Sequence, residues 1–164
     1  QFVIVHNMLT AEDPGSTYPS APLKLTPWEG TTAIELLPGG EVRVETRAGD
    51  WWGAGLEVDA DVGENLSRFK NGHMHLEIRG SSDVNFSFGF QTGSFLRGDQ
   101  VNNFASFGPG TDHLVGEEWR TVTLPIAELN GGTDLSDVTN VVAFLSRAKA
   151  PNRTLYLRNI YFSQ

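Results

Sequence analysis

The chain has 164 residues, a net charge of −8, 39% hydrophobic residues and no cysteine. Its length suits a single domain, 1–164, with a real core, since a domain of this size buries about 70% of its unfolded surface. The acidic balance repels nucleic-acid phosphates and anionic membranes, no run of about 18 apolar residues is present to span a bilayer, and the lack of cysteine removes disulfides, thiolate nucleophiles and thiolate-bound metals.

In chain order, Phe2–His6 opens as an apolar strand directly after Gln1. A start on Gln rather than Met reads as a mature or excised piece of a longer protein. Residues 7–27 hold four of the eight prolines and Tyr18; they read as a long irregular segment ending at Trp28, to which the pattern assigns no face. Strands follow at Thr31–Leu36 and Glu41–Glu45. In Trp52–Asp59 the alternation turns Trp52, Ala54, Leu56 and Val58 inward and leaves Trp51, Gly53, Gly55 and Glu57 on the polar side. A short turn is expected at Leu66–Asn71.

Met74, Leu76 and Ile78 then alternate with His73, His75, Glu77 and Arg79, and Val84, Phe86, Phe88 and Phe90 alternate with Asn85, Ser87, Gly89 and Gln91. Gly80-Ser81-Ser82-Asp83 between them predicts an antiparallel hairpin, which would lay the two polar rows side by side. Residues 92–118, with Phe95, Phe104 and Phe107, form a second long irregular segment. Arg120–Leu124, a helical turn at Pro125–Asn130, Val138–Ser146 and Thr154–Phe162 complete the chain. About nine short strands punctuated by glycine and proline predict an all-β fold: a two-sheet antiparallel β-sandwich, or jelly roll.

Catalytic signatures are missing. There is no G-x-S-x-G, no H-E-x-x-H and no Gly-rich phosphate loop, and the four histidines are scattered. Among twenty acidic residues a close carboxylate pair of the kind used in glycoside hydrolysis arises readily by chance. His73 and His75, two apart on one strand, face the same way, which admits a zinc or copper site with Glu77 or simply a polar sheet face. Hard-cation chemistry admits a structural calcium between the first and last strands, at Asn7 and Asn159.

The exposed rows suit a different ligand. Sugar hydroxyls both donate and accept, so they pair with amides, carboxylates and guanidiniums; His73, His75, Glu77 and Arg79, with Asn85, Ser87 and Gln91, supply such groups. The apolar C–H face of a sugar ring stacks on an exposed indole, and Trp51 beside Gly53 and Gly55 has room for one. Arg97 and Arg147, at strand ends, are placed to rim the same surface.

Trp52-Gly53-Ala54-Gly55-Leu56, His75-Leu76-Glu77-Ile78-Arg79-Gly80, Trp119-Arg120-Thr121-Val122-Thr123-Leu124-Pro125 and Leu155-Tyr156-Leu157-Arg158-Asn159-Ile160-Tyr161-Phe162 occur in that order. Together they resemble the jelly-roll, galactose-binding-like carbohydrate-binding modules, and most of all modules of bacterial β-glucan-degrading enzymes, including C-terminal sandwich domains of some exo-β-glucanases. The resemblance covers most of the chain, and its ending is the most specific part.

The resemblance implies a groove on the concave sheet, lined by Glu77, Arg79 and the outward side of Phe86–Gln91, and often a structural calcium at the opposite edge. This chain departs from relatives that place tyrosines along the groove, having only Tyr18, Tyr156 and Tyr161; Trp51 would take that part. The expectation is therefore a non-catalytic, secreted bacterial module. It would be monomeric, bind a polysaccharide or oligosaccharide such as a β-1,3- or mixed-linked β-glucan, and be attached to a glycoside hydrolase. Alternatives are an agar or galactan binder on the same fold, a structural accessory domain, and a small catalytic sandwich.

Overall fold

A computed structural model describes the backbone of residues 2–5, 23–130 and 134–164 and the side chains of 23–129 and 134–164. Among the described residues, eleven strands pack as two antiparallel sheets. Sheet A runs in the order β3 (Thr32–Leu36), β4 (Val42–Thr46), β11 (Thr154–Ser163), β6 (His73–Gly80) and β9 (Arg120–Pro125), with β1 (Phe2–Val5) also paired to β11. Sheet B runs β2 (Leu23–Pro27), β5 (Trp52–Val58), β10 (Val138–Ser146), β7 (Phe86–Thr92) and β8 (Val101–Phe107).

The expected sandwich is the observed one, and period-two alternation explains it. Val42 and Val44, Met74, Leu76 and Ile78, and Val122 and Leu124 point inward from sheet A; Trp52, Ala54, Leu56 and Val58, with Phe86, Phe88 and Phe90, do so from sheet B, all nearly solvent-free. Aromatic contacts close the layer: Phe88 meets Phe107 and Phe144 at centroid separations of 5.7 and 5.1 Å, and Phe90 of sheet B meets Phe162 of sheet A edge-on at 5.6 Å. In β11 the inward set changes phase, from Leu155 and Leu157 to Ile160 and Phe162. A bulge between Arg158 and Tyr161, with Asn159 at φ 50°, supplies the extra residue. The two expected turns are also present, as a 3-10 turn at Ser67–Phe69 and a short helix, α1, at Ile126–Asn130.

Three expectations are corrected. β6 and β7 do not form a hairpin: β6 pairs with β11 and β9, and β7 with β10 and β8. The connection crosses from one sheet to the other, with Ser81 N–H on Thr154 O at 2.9 Å and Gly80 N–H on Gly116 O at 2.8 Å. A Gly-Ser-Ser-Asp turn suits a sandwich corner as well as a hairpin, and alternation alone carries no information about the partner strand.

The two segments expected to be irregular both contain strand. Part of 7–27 is strand β2, and part of 92–118 is strand β8. These are the two edges of sheet B. Edge strands bury little on either face, so β2 is closed by Pro27 and β8 reads Val-Asn-Asn-Phe-Ala-Ser-Phe, with only Asn103 and Phe107 fully buried. Tyr18 and Asn7 lie outside the described residues.

Candidate functional site

The outer face of sheet B carries an aromatic shelf. Immediately after β2 the chain makes a 3-10 turn, Trp28–Gly30, in which Glu29 and Gly30 both take positive φ, 50° and 67°. Thr31 pins this turn to β5: its hydroxyl donates to Trp28 O at 2.7 Å and accepts from Gly53 N–H at 3.0 Å. The indole is thereby laid on β5. A Cβ built at Gly53 would lie 2.5 Å from Trp28 Cε3, and one at Gly55 would lie 3.2 Å from Cζ2. These two atoms are on opposite corners of the same six-membered ring, so the ring lies flat along the strand; at Gly53 a side chain would displace it, and at Gly55 one would meet Asn140 Oδ1 first.

A second ring repeats the arrangement two strands away. Gly55, Ala143, Gly89 and Phe104 are consecutive partners across β5, β10, β7 and β8. A Cβ at Gly89 would lie 3.1 Å from Phe104 Cδ1, so Phe104 rests on Gly89 as Trp28 rests on Gly55. The two glycines are two strand spacings apart, about 10 Å. Ala143 between them is fully buried although it is on the outer face. Both Trp28 and Phe104 are half-buried, each with one face on the sheet.

Polar rows border the shelf. On one side the register aligns Lys24, Glu57, Asn140, Gln91 and Asn102. The amides form a chain, with Asn140 Nδ2 donating to Gln91 Oε1 at 3.0 Å and Gln91 Nε2 donating to Asn102 Oδ1 at 2.8 Å. Such a chain fixes each amide's donor and acceptor ends. On the other side come Leu145, Ser87 and Ser106; beyond them Asn85 and Arg147 line a depression of about 480 Å³ with Ser87, Ser106 and Leu145. Trp51, half-buried, immediately precedes β5.

Asn85, Gln91 and Arg147 of the sequence-based set are thus brought to the outer side of sheet B, and Trp51 stands at the entry to β5. Arg97 sits in the loop that ends β7, paired with Asp99 and Asp137. His73, His75, Glu77 and Arg79 are on the outer face of the other sheet, and the two rows share no surface. There the groups engage one another. The Arg79 guanidinium lies over Tyr156 at 4.2 Å and Trp119 at 5.1 Å, and Arg158 lies over Trp119 at 4.0 Å. Glu77 accepts from Arg158 at 3.2 Å and from Asn159 Nδ2.

His75 stacks on Tyr161 at 4.3 Å and touches the Ser163 and Thr123 hydroxyls at 2.7 and 3.3 Å. Burial, and then the neighbouring His73, hold its imidazole below the ordinary histidine range. Glu77 is thus committed away from the two histidines. Among the described residues no three His, Asp or Glu side chains gather around a point where a metal could sit. Asn159 of the expected calcium pair spends its amide nitrogen on Glu77.

Sequence reasoning missed Trp28 and Phe104 because each rests on glycines from another strand. The signal was present in part: Gly53 and Gly55 leave space for a ring on the outer face, and the ring that fills it belongs to Trp28.

Residues 4–164 match the family model described as Carbohydrate binding domain 30. No curated protein matches the chain. Among solved structures, the family 30 carbohydrate-binding module of the cellulosomal cellulase Cel9D-Cel44B of Clostridium thermocellum is 21% identical, with a TM-score of 0.66 over 85% of this chain and 86% of that one. The family 11 module of the cellulosomal cellulase Lic26A-Cel5E of Clostridium thermocellum is 14% identical, with a TM-score of 0.59 over 96% and 92%. A family 29 module variant complexed with mannohexaose is 11% identical, with a TM-score of 0.54 over 97% and 87%. At these identities the likeness is one of fold.

Proposed function

This chain belongs to the family 30 carbohydrate-binding domains, and we propose that it holds a β-glucan, β-1,3- or mixed-linked, on the outer face of sheet B and so keeps an attached glycoside hydrolase on its polymer. The observation that carries this reading is the flat seating of Trp28 on Gly53 and Gly55. A ring with one face on the sheet offers its other face to the C–H face of a sugar. Phe104, two strand spacings away, offers a second stacking surface at a separation on the scale of two sugar residues.

The bordering rows complete the chemistry. Asn102 presents an exposed amide whose orientation is set by Gln91, itself buried and held in turn by Asn140, so a glycan hydroxyl meets an amide with fixed donor and acceptor ends. Ser87, Ser106, Arg147 and Asn85 do the same on the opposite side. A neutral glycan suits a domain of net charge −8, since it brings no charge to repel. Two of the structural neighbours are described as modules of cellulosomal cellulases, which supports tethering of a parent hydrolase. Tethering acts by effective concentration and needs no chemistry from the module itself. Export of the parent protein to its extracellular polymer follows from this reading.

Affinity electrophoresis against β-1,3-glucan, mixed-linked β-glucan, β-1,4-glucan and agar tests the proposal. Retardation on the glucans and not on agar is expected. Free migration through every glucan gel would overturn the ligand assignment.

A further inference from the structure

Five large hydrophobic side chains stand out as exposed among the described residues, and four of them are at one end of sheet B: Val62 at 65%, Phe95 at 81%, Leu96 at 95% and Val101 at 41%. Their loops are tied down. The β7–β8 loop closes through Gly98 N–H on Phe95 O at 3.1 Å, with Gly98 at φ 77°, and through Ser94 N–H on Asp99 Oδ1 at 2.7 Å. Asp137 clamps it to the neighbouring loop: one carboxylate oxygen takes the Arg97 guanidinium, and the other takes Gly63 N–H at 2.7 Å. Thr139 adds a hydroxyl bond to Gly93 O at 2.7 Å. Phe95 and Leu96 are therefore held out in water on a braced turn, with much of the ordering cost of binding already met.

We infer that this ridge is a second polysaccharide contact, one that touches the polymer beside the glycan seated on the Trp28–Phe104 shelf; the inference rests on the carbohydrate reading of that shelf. Two observations select this occupant. The ridge adjoins the shelf's border along the chain, since Gln91 and Asn102 pair across β7 and β8 one position in from Thr92 and Val101, whose own side chains turn to the opposite face of those strands. Its loops are acidic: they carry Asp59, Asp61, Asp99 and Asp137, and their cation Arg97 is paired with Asp99 and Asp137. Anionic lipid is repelled by such a rim, whereas a neutral glycan offers apolar C–H surface at no electrostatic cost. A short oligosaccharide on the shelf leaves the ridge uncovered, and a polymer with neighbouring chains reaches it.

The test separates the two surfaces. Phe95→Ser combined with Leu96→Ser is compared with wild type for binding to cellohexaose and laminarihexaose by calorimetry, and for retention on insoluble cellulose and insoluble β-1,3-glucan. The expected result is unchanged hexasaccharide affinity with polymer retention reduced by about tenfold, the scale of two apolar side chains withdrawn from a contact. Equal retention of variant and wild type on the polymer would overturn the ridge while leaving the shelf standing. Loss of hexasaccharide binding in a variant with unaltered thermal melting would also overturn it, by making the loop part of the shelf. A wild-type dimer that the variant converts to monomer would assign the ridge to self-association instead. Wild type that binds neither hexasaccharide nor either polymer would sink the glucan reading itself.

Discussion

The indole of Trp28 rests on the bare Cα of Gly53, so closely that a methyl group at that position would come within 2.5 Å of Cε3. One contact between a loop residue and a strand residue, 25 positions apart in the chain, makes a polar sheet face into an aromatic one.

Trp28→Ala removes this surface. Because the ring is half-buried on the outer face and not in the core, the sandwich is expected to stay folded while glucan affinity drops by more than about tenfold, the scale of an aromatic hot spot. Phe104→Ala is expected to weaken binding less, as a smaller ring at the far end of the shelf. Affinity electrophoresis with a parallel thermal melt reads both; an undiminished shift in the Trp28 variant would remove the shelf from the site.

Gly53→Ala tests the seating itself. The added methyl meets both the indole and Phe144 O, 3.0 Å away, and overpacking of this kind costs about 1–3 kcal/mol. The variant is expected to lose both stability and affinity. In the Trp28→Ala background the same substitution is expected to cost less, since only the Phe144 contact remains. A double-mutant cycle by chemical denaturation measures the difference, and a coupling near zero would mean that Trp28 does not press on Gly53 in solution.

The two sheet faces are separable by mutation. Gln91→Ala breaks the amide chain between Asn140 and Asn102 and is expected to weaken binding severalfold. Arg79→Ala, on the outer face of sheet A, is expected to leave binding unchanged while lowering the melting temperature through lost stacking on Tyr156 and Trp119. The reverse pattern would move the site to sheet A.

His75 makes stability depend on pH. Burial, reinforced by His73, holds its folded imidazole below the ordinary value of 6.5, so the unfolded chain binds this proton more tightly than the folded one. The stability it contributes is complete above about pH 6.5, declines as pH falls below that value, and levels off once pH is below the folded pKa. His75→Gln is expected to flatten this part of the Tm–pH curve. A wild-type melting temperature that rises on acidification from pH 7 to 5.5 would contradict the assignment.

The amino-acid sequence by itself determined the architecture. Alternation at Val42–Val44, Trp52–Val58, Met74–Ile78 and Phe86–Phe90 names the inward residues of four strands, because a strand buried on one face must repeat every two residues. The polar character of both outer faces was legible for the same reason, as was the space left by Gly53 and Gly55. The tertiary structure decided which strands lie beside which. Period two is identical for a hairpin and for a sandwich corner, so nothing local separated the row of His73 to Arg79 from the row of Asn85 to Gln91, and only the pairing of β6 with β11 and of β7 with β10 put them on opposite sides of the molecule. The shelf likewise exists only once β2 and β8 close the edges of sheet B and bring Trp28 and Phe104 over glycines of other strands. A ring stacked across strands leaves its signal in the residues it covers, and which ring covers them is settled by the packing.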